Sequence, residues 1–195
     1  AYDPDMFLFI GDNHYGNTSD LDSLRQYYRW AHGRFGRSTL LATIPVLATW
    51  DDHDFVGNNT LGVDEPGRDV ALRGFGEYWA NPSVGAPGVP GVFTRATLGD
   101  IDWFLVDDRY HRGEDESMLG LAQEAWLVDA IASSTATFKL VASGSEWSYT
   151  GATDSWDEFH GQRERIFQAL VDRSVSGVVL MSGDIHRSEL RRLAG

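Results

Sequence analysis

The sequence predicts an α/β fold in which helices cover sheets of mixed strand direction, and three features lead there. Short, almost uninterrupted apolar runs such as Met6–Ile10 and Val178–Met181 have the length and character of strands buried on both faces. Segments with helical spacing separate those runs, the alternation expected of helices packed on sheets. Two alternating runs meet at Gly99 and Asp100, a hairpin turn that makes one pairing antiparallel.

Taken in order, Met6–Ile10 is the first strand and ends at Gly11. In segment 19–33, Leu21, Leu24, Tyr28 and Ala31 share one helical face, and Ser19 with Asp22 has the spacing of a capping box. Residues 43–50 form the next strand, with Pro45 near its start, where a missing N–H matters least. Segment 67–81 is helical but weakened by Gly74 and Gly76. The Pro/Gly-rich stretch 82–91 is a loop and not a linker, because regular patterns resume at once. Segments 92–99 and 101–108 make the hairpin. A helix over 119–134, a strand over 137–143, a helix over 162–174 and a last strand over 177–183 complete the chain. No internal repeat is present, and one domain over 1–195 is the simplest organisation.

Composition narrows the function. The 195 residues are 42% hydrophobic, enough for a real core without disulfides. A net charge of -13, from 29 acids against 16 Lys and Arg, argues against a nucleic-acid-binding surface or docking on anionic lipid. An anionic substrate would need a local positive charge, which a bound cation supplies without adding to the residue count. Absence of cysteine removes thiolate catalysis and Cys-rich zinc sites. No apolar run of about 18 residues exists to span a membrane, and no signal peptide is visible. Oligomeric state is not legible. The opening AYDPDM and the closing RRLAG have the look of a fragment.

The chemistry collects at strand ends. The first strand runs into Asp12, the second into Asp51, Asp52, His53 and Asp54, the hairpin into Asp107, Asp108 and Arg109, and the last strand into Asp184 and His186. Turn chemistry alone would accept Asn, Ser or Gly at these places. Carboxylates and imidazoles gathered on one rim suit hard or borderline cations. Asp184 and His186, two apart, would point the same way from an extended segment and ligate one ion or neighbouring ions. Asp12 from another strand would bridge two ions, an arrangement that clamps a phosphoryl group. Against this, Asp54 and Asp108 have a duller explanation as solvated loop acids, and Arg109 and Arg112 as partners of Asp107 or Asp108. His14, His32, His111 and His160 carry no signal beyond their residue type, and Trp50, Trp103, Trp147 and Trp156 read as core or pocket walls.

The ordered motifs GDNHY, WDDHD followed by Asn58 and Asn59, VDDRYHR, LGLAQEAWL, KLVASGSEW, DSWDEF with QRERI, and SGDIH resemble the PhoD-like alkaline phosphatases, a branch of the calcineurin-like metallophosphoesterases. The resemblance covers essentially the whole chain. It implies a four-layer α/β/β/α sandwich of mixed sheets, truncated at both ends, and hydrolysis of phosphate mono- or diesters by a metal-activated water at a bimetal site. It further implies Fe3+ and Ca2+, a small phosphoester substrate and a secreted or periplasmic location. By the same resemblance Asp12 is the bridging ligand and Tyr15 the ferric ligand. Asp184 and His186 form the last ligand pair, and Arg109 holds a phosphate oxygen. Asp52 or, in the other alignment, Asn58 supplies a further ligand, with His53 as proton donor to the leaving oxygen. The family's first ligand would lie upstream of Ala1, so the isolated fragment is expected to bind metal poorly. A rival class is a degenerate phosphoesterase-like binding module.

Overall fold

The computed structural model describes residues 4–34, 36–148, 151 and 153–192. Two parallel strands, β1 (Phe7–Ile10) and β2 (Val46–Thr49), form the first sheet, with Phe7 opposite Val46 and Ile10 opposite Thr49. The second sheet has the order β3 (Thr94–Leu98), β4 (Ile101–Leu105), β5 (Phe138–Ser143), β6 (Val178–Ser182). Its β3–β4 pair is the antiparallel hairpin, with Leu98 opposite Ile101, and the remaining pairs are parallel. The helices are α1 (Leu21–His32), α2 (Arg37–Thr43), α3 (Asp52–Phe55), α4 (Arg68–Tyr78), α5 (Gly120–Ala132) and α6 (His160–Asp172).

Apart from the edge strand β3, the strands are largely apolar on both faces because each face meets a different layer. Met6, Leu8, Ile10 and Leu47 from the first sheet pack on Ala96, Trp103, Leu105, Ala142 and Met181 of the second. Alternate residues turn the other way. Phe9, Val46, Ala48 and Trp50 pack under Tyr28 of α1, Phe55 of α3 and Ala71 and Phe75 of α4. Phe104, Val141, Val178 and Leu180 pack under Leu127, Val128 and Ile131 of α5 and Ile166 and Leu170 of α6. The order of layers is therefore α/β/β/α, as expected from the resemblance.

Three local expectations are corrected. The cap of α1 is Asp20, which accepts the Ser23 N–H at 2.9 Å, and not Ser19. The short helices α2 and α3 were not anticipated, since seven and four residues give at most about two turns, too few for a periodic pattern to stand out. The segment holding Asp184 and His186 is a bend and not extended, with φ of 70° and 47° at those residues. Their side chains are therefore placed by the bend and not by strand alternation.

Candidate metal centre

Glycines let the ends of β1, β5 and β6 come together. A methyl on Gly11 would stand 2.6 Å from Asp51 Cβ, one on Gly144 would stand 2.7 Å from the same atom, and one on Gly183 would stand 2.6 Å from the Ile10 carbonyl oxygen. Only bare backbone fits there. The Gly183 N–H donates to the Gly144 carbonyl at 3.0 Å, so the carboxyl ends of both sheets share one rim.

A buried polar frame supports that rim. Trp50 Nε1 donates to Asp107 Oδ1 at 2.7 Å, and the same carboxylate accepts backbone N–H groups of Val92, Arg109 and Tyr110 at 2.8, 2.9 and 2.9 Å. Gln123 on α5 pins the Asp107 backbone from both sides, accepting its N–H and donating to its carbonyl, each at 2.8 Å. Asp108 accepts Ser143 Oγ and the Ser145 N–H, both at 2.6 Å. Asp54, also fully buried, accepts the backbone N–H groups of Asp51 and Asn13 at 2.7 and 3.1 Å. These acids are therefore not solvated loop residues.

On this frame the candidate ligands converge. One oxygen or nitrogen from each of Asp12, Asp52 and His53 lies within 4.8 Å of the others. Tyr15 Oη donates to Asp12 Oδ2 at 2.9 Å and lies 3.2 Å from His186 Nε2, which joins the first strand end to the last. Asp12, Asp184 and His186 all take left-handed backbone. Such conformations cost on the order of 1–3 kcal/mol each and persist where surrounding structure enforces them. Burial, with a smaller contribution from Asp52, raises the Asp12 carboxyl above its ordinary range. Burial raises Asp184 too, aided by the charges of Asp154, Asp52 and Asp12. Asp12 Oδ1 is buried and has no hydrogen-bond partner among the described residues. Carboxylate, phenol and imidazole are hard to borderline donors, and a cation among them would satisfy the orphaned oxygen and the uncompensated charge together. The residues present fit a metal.

The family model described as PhoD-like phosphatase matches residues 92–194, more than half of the chain. The chain belongs to the PhoD-like phosphatase family. It is 28% identical to alkaline phosphatase D of Bacillus subtilis (strain 168) over 88% of this chain and 36% of that protein. A solved structure of PhoD matches with a TM-score of 0.77 at 22% identity, covering 95% of this chain and 46% of that one. The chain thus spans less than half the length of these relatives. Among the described residues no helix is long and apolar enough to cross a membrane.

Within this PhoD-like chain two expected site residues have their side chains engaged elsewhere. Arg109 is 0% exposed, with Nε donating to Asp51 at 2.6 Å, Nη1 to Asp154 at 3.0 Å, and Nη2 to Asp154 at 2.8 Å and Ser145 at 3.2 Å. Each nitrogen is engaged inside the protein, which makes Arg109 a buried counter-ion in this structure. Its main partners are Asp51 and Asp154, with Asp108 at 3.9 Å. Asn58 is exposed and donates to its neighbour Asn59 at 2.6 Å. Of the two alignments the geometry favours Asp52, which lies in the cluster.

Other histidines have structural surroundings. His14 and His32 pack against Tyr28, and burial lowers both to about 4. His111 is braced between Glu114 and the Pro90 carbonyl, each at 2.9 Å. His160 faces the Asp157 carbonyl at the start of α6. Trp50, Trp147 and Trp156 are buried as expected. Asp154 and Asn17 were missed. Two arginines in VDDRYHR needed buried acids, which was a usable signal for Asp154. The position of Asn17 beside His53 left no trace in local spacing.

Proposed function

We propose that the protein is a metal-dependent phosphoesterase, hydrolysing phosphate mono- or diesters at a two-metal site in a partial metallophosphatase domain over 1–195. The observation that carries this is the meeting of Asp12, Tyr15, Asp52, His53 and His186, with a buried carboxylate oxygen left unpartnered among them. Asp12, Tyr15, Asp52, Asp184 and His186 would hold the ions, and Fe3+ and Ca2+ are the pair that the family resemblance implies. When bound, such ions polarise the phosphoryl group and bring the pKa of water toward about 7.

The chain's own residues supply the rest. Asp12 reaches in from the β1 end toward both halves of the cluster. Burial, followed by the hydrogen bond to Asp12, pushes Tyr15 up to about 12, so without a cation it is a neutral phenol at physiological pH. A bound cation would hold Tyr15 as an anionic donor, its proton passed to solvent. His53 protonates the departing alkoxide as the P–O bond breaks. The acidic chain thereby accepts an anionic substrate, since the positive charge is supplied by the cations. A secreted or periplasmic location, implied by the resemblance, belongs to this proposal.

Elemental analysis and turnover of p-nitrophenyl phosphate and its bis-ester by the full-length protein test it. Two metals per chain are expected, and Asp12→Asn should lower turnover by roughly two orders of magnitude or more. Wild-type turnover in Asp12→Asn with metal still bound contradicts the mechanism. A folded full-length protein with no metal favours a binding module instead.

A further inference from the structure

His53 has a second neighbour that the cluster does not use. Its Nδ1 lies 2.7 Å from Asn17 Oδ1, and the Asn17 backbone N–H donates to the His53 carbonyl at 3.2 Å. Asn17 takes a left-handed backbone, φ 47°, which asparagine tolerates better than most residues. The Tyr15 ring packs on the imidazole with centroids 4.3 Å apart, so the ring is held on a second side. An amide oxygen only accepts hydrogen bonds, so the hydrogen between the two side chains belongs to Nδ1. With Nδ1 committed, Nε2 is the ring nitrogen left to act on a ligand.

We propose that Asn17 is a positioning residue that holds His53 in the Nδ1–H tautomer and presents Nε2 to the departing alkoxide. What Nε2 does rests on the phosphoesterase reading, whereas the tautomer does not. In the step, imidazolium gives its Nε2 proton to the alkoxide oxygen as the P–O bond breaks. The neutral ring that remains still donates Nδ1–H to Asn17, and solvent returns a proton to Nε2. An amide suits this place because it orients the ring without adding charge. A carboxylate there would put another negative group beside Asp12 and Asp52, where it would repel an anionic substrate.

The test uses the full-length protein with Asn17→Gly, which removes the acceptor while keeping the left-handed backbone easy, and Asn17→Asp, which keeps an acceptor. In the metal-free protein, nitrogen chemical shifts of His53 at a pH where the ring is neutral should report Nδ1–H in the wild type and in Asn17→Asp. Asn17→Gly should move the population toward Nε2–H. In the metal-loaded protein, Asn17→Gly should lower kcat for an alkyl phosphate about ten- to a hundredfold. For p-nitrophenyl phosphate, whose leaving group needs little protonation, the loss should stay under about threefold, with KM unchanged for both. A wild-type Nε2–H tautomer, an unshifted Asn17→Gly, or equal losses for the two esters overturns the proposal. The expected tautomer shift in a protein that hydrolyses neither ester leaves Asn17 as the positioning residue and removes the phosphoesterase reading instead.

Discussion

Asp154 closes a cluster of buried charge that no single motif announces. It accepts two hydrogen bonds from Arg109 and lies 2.7 Å from Arg112 Nη2, and both arginines are fully buried. A buried pair adds little net stability compared with apolar packing, but breaking one is expensive because a desolvated charge is left behind. Asp154→Asn should therefore cost about 3–5 kcal/mol in urea denaturation of the metal-free protein. A loss below about 1 kcal/mol would mean that the arginines find other partners at no expense. At this scale the sequence was only partly legible. Asp12, Asp52 and His186 could be picked out because acids and imidazoles at strand ends are unusual turn residues. For Arg109, residue type shows that a cation is present but not that it is sealed inside. Asn17 was invisible because its partner lies 36 positions away in the chain.

Elements whose pattern repeats several times were readable, and those with one or two turns were not. The hairpin at Gly99 and Asp100 and the helices α1, α5 and α6 follow from alternation or 3.6 spacing sustained over many residues. The one-turn α3, which carries Asp52 and His53, is too short to show either. At the far end of α1, His32 sits with its ring against Tyr28, Tyr78 and Trp79, and burial, then the charge of Arg37, lowers it from 6.5 to about 4. The sign follows from proton linkage. As pH falls below 6.5 the unfolded chain takes up the proton first, so stability is lost between about 6.5 and 4 and is unaffected above that window. After allowance for partial exposure the effect is on the order of 1–2 kcal/mol. His14 shares this acid limb, so His32→Phe should reduce it, leaving the part due to His14, in denaturation measured across pH. An unchanged pH profile would show that His32 protonates freely in the folded protein.

For the molecule as a whole, two sheets packed face to face bring four strand ends to one rim, and glycines allow the approach. The four layers were expected on resemblance, and the packing now gives the reason: the strands inside the sheets need an apolar partner on each face. The result is a strongly acidic protein that gathers carboxylates at one rim, with Asp12 Oδ1 left without a hydrogen-bond partner among the described residues, where a cation would compensate them. The most direct measurement of that claim is an anomalous-scattering map of crystals of the full-length, iron-loaded protein. A peak is expected within about 2–2.6 Å of Asp12, Tyr15 and His186 side-chain donors. A peak elsewhere, or none in that cluster, would contradict it.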